Sequence, residues 1–205
     1  MSETELRMTD HELLALLSMT PTESAATTLG LFRLDQHADN ELLQNAGLTT
    51  LLVRGLAETQ GEIIVPVERC AVVGTVLSQA QEWLEISLTT PSTDHVLFAA
   101  GSNVGAVLLS LSPFGVHEIQ PIESGTAMLA LGLHLCREYL VGAAEGLPAT
   151  AVVKRVRVGR EPVVVQLRAV ESEKWTLRSG DESEFTEEEV AAEDALVRFE
   201  SALNA

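Results

Sequence analysis

Four short apolar runs follow one another between Trp83 and Ile122, and the turns joining them leave no room for a crossover. The first, WLEISLTT, sets Leu84, Ile86 and Leu88 against Glu85, Ser87 and Thr89, the period-two alternation of a half-buried strand. Thr90-Pro91-Ser92-Thr93 turns it into DHVLFAAG, and Gly101-Ser102-Asn103 turns that into VGAVLLSL. Ser112-Pro113-Phe114-Gly115 then leads into VHEIQPI. Parallel neighbours need a connection of about a dozen residues or more, so these runs pair as an antiparallel meander.

Helical signals dominate before the meander. Thr9 followed by Glu12 makes a capping box that opens a short helix through Leu13, Leu14 and Leu17. Thr20-Pro21-Thr22-Glu23 repeats the signal, with Pro21 expected at the first helical position, where its missing N–H costs nothing. A third helix is expected to start near Asp39 and run through Leu42 and Leu43, ahead of a helical stretch carrying Leu48, Leu51, Leu52 and Leu56. Gly61 turns the chain into a β run, Ile63-Ile64-Val65, and a further helix runs from Pro66 to about Gln81, with Cys70, Val73, Leu77 and Ala80 on one face. After the meander, Ser124 is expected to cap an apolar helix through Met128, Leu131, Leu135 and Tyr139.

Gly142 to Pro148 is small and turn-rich and reads as a linker. Beyond it, ATAVVKRVRV and VVVQLRAV flank Gly159-Arg160-Glu161-Pro162, and KWTLRS follows after another turn. Thr186 with Glu189 reads as a last capping box, and the final helix places Ala192, Leu196, Phe199 and Leu203 on one stripe. The expected class is α+β: N-terminal helices, an antiparallel β-meander, a long apolar helix, then a smaller antiparallel β unit and a C-terminal helix. The expected division is a main domain over 1–141 and a smaller hairpin-and-helix unit over 149–205 packed on it, with a single domain overall as the alternative.

Charge narrows the function. The net charge is −17, with 30 acidic residues against 13 basic ones, which works directly against binding a polyanion. Cys70 and Cys136 have neither close spacing nor a His at metal-site intervals, and read as buried free thiols of a reducing compartment. Glu3 and Glu5 stand where a secretion signal needs positive charge, and the apolar helix at Gly125–Leu133 soon meets His134, Arg137 and Glu138, too short a span for a membrane. The cytoplasm is the expected location.

Catalytic motifs fail on inspection. HELLA at His11 carries Ala15 where a metalloprotease helix needs its second His. GSNVGAVLLS from Gly101 lacks the Lys-Ser/Thr ending of a phosphate loop and lies between strands instead of opening a helix. His95 and His117 fall at or near strand ends of the meander and could meet, but two imidazoles without a third ligand make a weak metal site. His134 and Glu138 read as an ordinary intrahelical pair. The expectation is a protein with no catalytic residue, cofactor or metal.

The late β unit concentrates positive charge. Counted through the hairpin, Val156, Val158, Val163, Val165 and Leu167 share one face, and Arg155, Arg157, Gln166 and Arg168 share the other. The third strand extends these faces with either Trp175 and Leu177 or Lys174 and Arg178. Glu187, Glu188, Glu189, Glu193 and Asp194, on the expected final helix, offer an internal cover for the arginines; the alternative is an open face that recognises an acidic or polar partner.

The stretch from Gly47 to Pro66 has the order of a recognition helix and a wing. A DNA reader would offer Arg, Lys, Asn or Gln to base edges, yet this segment has Arg54 among Leu, Val, Thr and Ala, and its wing carries Glu58 and Glu62. A winged-helix-like regulator is therefore the runner-up, and an enzyme with a dispersed site comes third.

LLVRGL in a helix, a helix ending AQEWLEISL, strands HVLFAA and AVLLSL, then IQPI before another helix: this order, over Leu48 to Tyr139, resembles the EspG family, cytosolic chaperones of actinobacterial type VII secretion. The resemblance implies antiparallel sheets with helical pieces and binding of a secreted helical-hairpin protein without catalysis. It also implies a longer chain of two related halves, against one full half and an abbreviated second here, and no binding residue is carried over from it. The expectation is a cytoplasmic protein-binding domain with a protein partner, with neither nucleic acid nor membrane among its ligands. Self-association through an apolar patch stays open.

Overall fold

The structure is a computed structural model that describes residues 6–142, 146–171, 174–180 and 185–205. It is α+β, with a large antiparallel sheet, a separate two-stranded sheet and a C-terminal helix. Two compact units divide the chain, Met1–Gln81 with Ala100–Ser124 and Glu82–Ala99 with Gly125–Ala205. The division falls within a strand of the meander and after Ser124; of the stretch from Gly142 to Pro148 read as a linker, residues 143–145 lie outside the described residues.

In the first unit, strand β1 (Leu6–Thr9), which the sequence did not announce, pairs antiparallel with β7 (Val116–Ile122), and β7 pairs with β6 (Gly105–Leu111). Helix α1 (Asp10–Ser18) starts on the expected capping box: Thr9 Oγ1 accepts the Glu12 N–H at 3.2 Å and Glu12 Oε2 accepts the Thr9 N–H at 2.9 Å. Helix α2 (Glu23–Leu31) is capped by Thr22, whose Oγ1 accepts the Ala25 N–H. Pro21 therefore precedes the cap, a correction to its expected place in the first turn.

The Leu-rich stretch forms a single helix, α3 (Glu41–Val53), capped by Asn40. It ends at Gly55 (φ +68°), where Gly55 N–H donates to Leu52 O and Leu56 N–H to Leu51 O, so Leu56 lies beyond the helix. The hairpin β2 (Ala57–Gln60) and β3 (Ile63–Pro66) follows, closed by Gly61 and Glu62. Helix α4 (Glu68–Ser78) stops short of Gln81 without a glycine cap. Its exit is satisfied from α2 instead: the hydroxyls of Thr22, Ser24 and Thr28 donate to the carbonyls of Ser78, Ala80 and Leu77.

The second unit is built on β4 (Glu82–Thr89), β8 (Ala149–Arg157), β9 (Val163–Ala169), β10 (Lys174–Gly180) and β11 (Phe185–Ala191), paired antiparallel in that order. β5 (Asp94–Ser102) contributes residues to both units. Helix α5 (Met128–Gly142) begins four residues after Ser124, which therefore does not cap it. Its buried residues are Met128, Gly132, Cys136 and Leu140, so the inward stripe is rotated from the one expected through Leu131, Leu135 and Tyr139. Gly132 sets this rotation, because a Cβ there would come 3.1 Å from Ile86 Cδ1 and 3.2 Å from Leu84 Cδ1. Helix α6 (Ala192–Leu203) buries Ala195, Phe199 and Leu203. Thr186 and Glu189 lie in β11, not in a capping box, because the Phe185–Ala191 run pairs with β10, with Val190 opposite Trp175. Among the described residues no helix is long and apolar enough to cross a membrane.

Candidate partner-binding surface

The pairing of β8 with β9 decides which arginines stand together. Arg155 lies opposite Val163, Val153 opposite Val165, and Ala151 opposite Leu167. Residues directly opposite each other share a face, so Arg155 and Arg157 lie on the apolar side with Val163, Val165 and Leu167. Gln166 and Arg168 lie on the other side, opposite Val152 and Thr150. The single face expected for Arg155, Arg157, Gln166 and Arg168 is thus corrected to two. The hairpin turns one residue early: Arg160 N–H donates to Arg157 O, Gly159 takes φ +73°, and Val158 is an exposed turn residue. A one-residue slip reverses every side chain beyond it.

Arg155 is used internally. Its Nε donates to Glu82 Oε1 at 2.6 Å, and Nη1 donates to Leu203 O at 3.0 Å and Asn204 Oδ1 at 2.8 Å. A cation here meets the unpaired carbonyl end of α6, where the helix dipole favours it. The cover is therefore the C-terminus of the last helix, not the acidic residues expected on it. Arg157 stands opposite Glu82, and its Nε is buried without a hydrogen-bond partner among the described residues. Burial and the like charges of Arg155 and Arg160 lower its pKa from the ordinary arginine value.

Both helices of the second unit lie on the Arg155 side: Gly132 of α5 abuts Leu84 and Ile86, and α6 meets Arg155. Among the described residues, no helix of this unit lies over the opposite side of the strands. Two rows cross it: Ser87, Val152, Gln166, Arg178 and Glu187, then Thr89, Thr150, Arg168, Thr176 and Glu189. Its charges are largely matched in place, since Arg178 stands opposite Glu187, Lys154 opposite Glu85, and Lys174 Nζ lies 3.5 Å from Glu189. Arg168 is exposed between Thr150 and Thr176, with no ion-pair partner among the described residues. This surface is lined largely by small or polar side chains around Arg168.

The helix-and-hairpin segment has its lone cation spoken for. Arg54 Nη1 donates to both Glu12 oxygens, at 2.9 and 2.7 Å, and Nη2 donates to Arg7 O at 2.8 Å. Glu12 is fully buried, so it needs this partner, and Arg54 points at α1 instead of outward. The histidines are also held separately. His117 Nδ1 accepts the Ser112 N–H, which places the proton on Nε2 for donation to Asp10 Oδ1 at 2.7 Å, and Phe32 stacks on the ring. His95 meets the ring of Tyr139 edge-on. No group of three His, Cys, Asp or Glu side chains suited to a metal occurs among the described residues. Burial pushes Cys70 up to about 11 and Cys136 up to about 12, so both free thiols are inert.

No protein-family model matches the sequence, and no curated protein matches it either. Among solved structures the chain is similar to the Mycobacterium tuberculosis type VII secretion system chaperone EspG5, in a complex with a PE25–PPE41 dimer. The TM-score is 0.62 at 10% identity, and the match covers 98% of this chain and 95% of that one. At that identity the likeness is one of fold. It reaches well beyond Leu48–Tyr139, and the two chains match almost end to end, so the abbreviated second half expected from the sequence is not seen in this comparison.

Proposed function

We propose that this chain is a chaperone-like, non-catalytic protein of the cytoplasm that binds a helical partner of the kind handled in type VII secretion. The observation that carries this reading is the fold shared along 98% of the chain with a chaperone solved on its PE25–PPE41 dimer. The open side of β8, β9 and β10 supports it with a surface: a sheet face with no helix of its own unit over it among the described residues, small hydroxyl side chains flanking Arg168, and neighbouring charges already matched. A partner helix laid there presents a carboxylate to Arg168 and otherwise contacts Val152, Thr150 and Thr176.

The test is co-expression of the tagged chain with PE–PPE-type dimers, followed by size-exclusion chromatography and calorimetry. A stoichiometric complex is expected, weakened about tenfold or more by Arg168→Glu, because a like charge replaces the matched one. The same substitution should leave thermal stability within about 0.5 kcal/mol, as expected for an exposed site. Failure to co-elute with any such dimer would refute the partner class. A complex indifferent to Arg168→Glu would refute the surface.

A further inference from the structure

The first unit carries an apolar groove that the open sheet face does not involve. Leu6 of β1, Val107 of β6 and Ile119 of β7 form its floor, and Val72 and Val73 of α4 form its wall. Its volume is 140 Å³. A space of about 150 Å³ accepts one benzene-sized group, so this groove has room for a single Leu, Met or Phe side chain. Arg69 stands at its rim as the groove's charged residue. It is exposed and has no ion-pair partner among the described residues, in a chain whose net charge is −17.

The spacing of these groups selects the shape of what fits. Arg69 precedes Val72 and Val73 by three and four residues on α4, which puts its Cβ about 5–6 Å from theirs, with the guanidinium on the same side of the helix as the apolar wall. A partner must offer a carboxylate and an apolar side chain at the same separation. One turn of a helix does so, because residues three and four apart stand side by side on its surface. We propose that this groove is a second docking point, which takes one Leu-, Met- or Phe-sized side chain from a helix of another protein while an Asp or Glu one turn away on that helix pairs with Arg69. A second copy of this chain is disfavoured as the occupant, since its own −17 would be brought against the same charge.

The experiment uses the full chain with Ile, Leu and Val methyls labelled for NMR. The probe is a blocked alanine-based peptide of about 15 residues with one Glu and one Leu a helical turn apart. Saturable shifts are expected at the methyls of Val72, Val73, Val107 and Ile119. Arg69→Gln should weaken binding about threefold to fivefold, as for a part-exposed ion pair. Replacing the peptide's Glu by Gln should cost the same on the unaltered chain and nothing further on Arg69→Gln. Val72→Glu, at a position 57% exposed and tolerant of the change, sets a carboxylate beside Arg69 and should abolish the shifts. Unsaturable shifts, shifts scattered away from these methyls, or an affinity unaltered by Arg69→Gln would overturn the proposal. Self-association of the labelled chain through the same methyls would overturn its choice of occupant.

Discussion

Gly47 permits a close approach of α3 to α1, and its replacement by Ala should cost stability that helix propensity alone would add. A Cβ built there comes 1.9 Å from His11 O, 2.6 Å from His11 C and 2.7 Å from Ala15 Cβ. Relief to ordinary contact at 3.4 Å requires α3 to move off α1 by roughly 1.5 Å, since the obstacle is backbone and no rotamer change removes it. Overpacking of this kind costs up to about 3 kcal/mol, and Gly→Ala inside a helix returns about 1 kcal/mol. The expected net loss is about 2 kcal/mol, a melting temperature lower by about 4–8 °C in a chain of this size. Gly30, in α2, is the control, because a Cβ there has nothing within 4 Å. Gly30→Ala should raise stability by about 0.5–1 kcal/mol. Calorimetric melting of both variants decides the matter. If Gly47→Ala is as stable as the parent chain, the close approach of α3 to α1 is wrong.

Arg54→Ala leaves the fully buried Glu12 without its cation. Breaking a buried pair costs about 3–5 kcal/mol, reduced here to about 2–3 because Arg54 is 40% exposed and water can partly replace it. Urea unfolding should show that loss and a partial recovery when Glu12→Gln is added, whereas a change under about 0.5 kcal/mol would deny the pair its role. Cys70 and Cys136, held as thiols with values raised to about 11 and about 12, should not react with Ellman's reagent at pH 8 in the native chain and should both react in urea. The sign follows from those values: an unfolded thiol ionises near its ordinary 9.0, so the stability gained by keeping both neutral is present below that pH and lost as pH rises towards 11 and 12. Rapid native labelling at pH 8, or a stability flat between pH 9 and 11, would contradict the burial of these groups.

What the sequence determined by itself was the set of features whose signal lies within one element or one short turn and that no distant partner overrode. The alternation of Leu84, Ile86 and Leu88 and the brief turns after Thr90, Gly101 and Ser112 make the meander antiparallel, and β4 to β7 are where those signals put them. Thr9 and Glu12 cap α1 because both partners of a capping box lie three residues apart. The likeness in fold to the solved EspG5 structure was legible for the same reason, since element order needs only the succession of periods. Two kinds of feature escaped. Some depend on a count that a single turn residue can upset: the early turn at Arg157 moved Arg155 and Arg157 to the apolar side and left Arg168 on the open one.

Others have no local signal at all. The cap of α4 is supplied by hydroxyls on α2, the stripe of α5 is set by the fit of Gly132 on Leu84 and Ile86, and Glu12 finds Arg54 forty-two residues away. Thr186 and Glu189 form a strand because β10 offers its edge, although their spacing alone would start a helix. Local propensities are worth tenths to about 1 kcal/mol per residue, and a sheet edge or a buried charge outweighs them. Sequence therefore determined most of the elements, while tertiary pairing decided β1 and β11 and packing decided which faces the elements show.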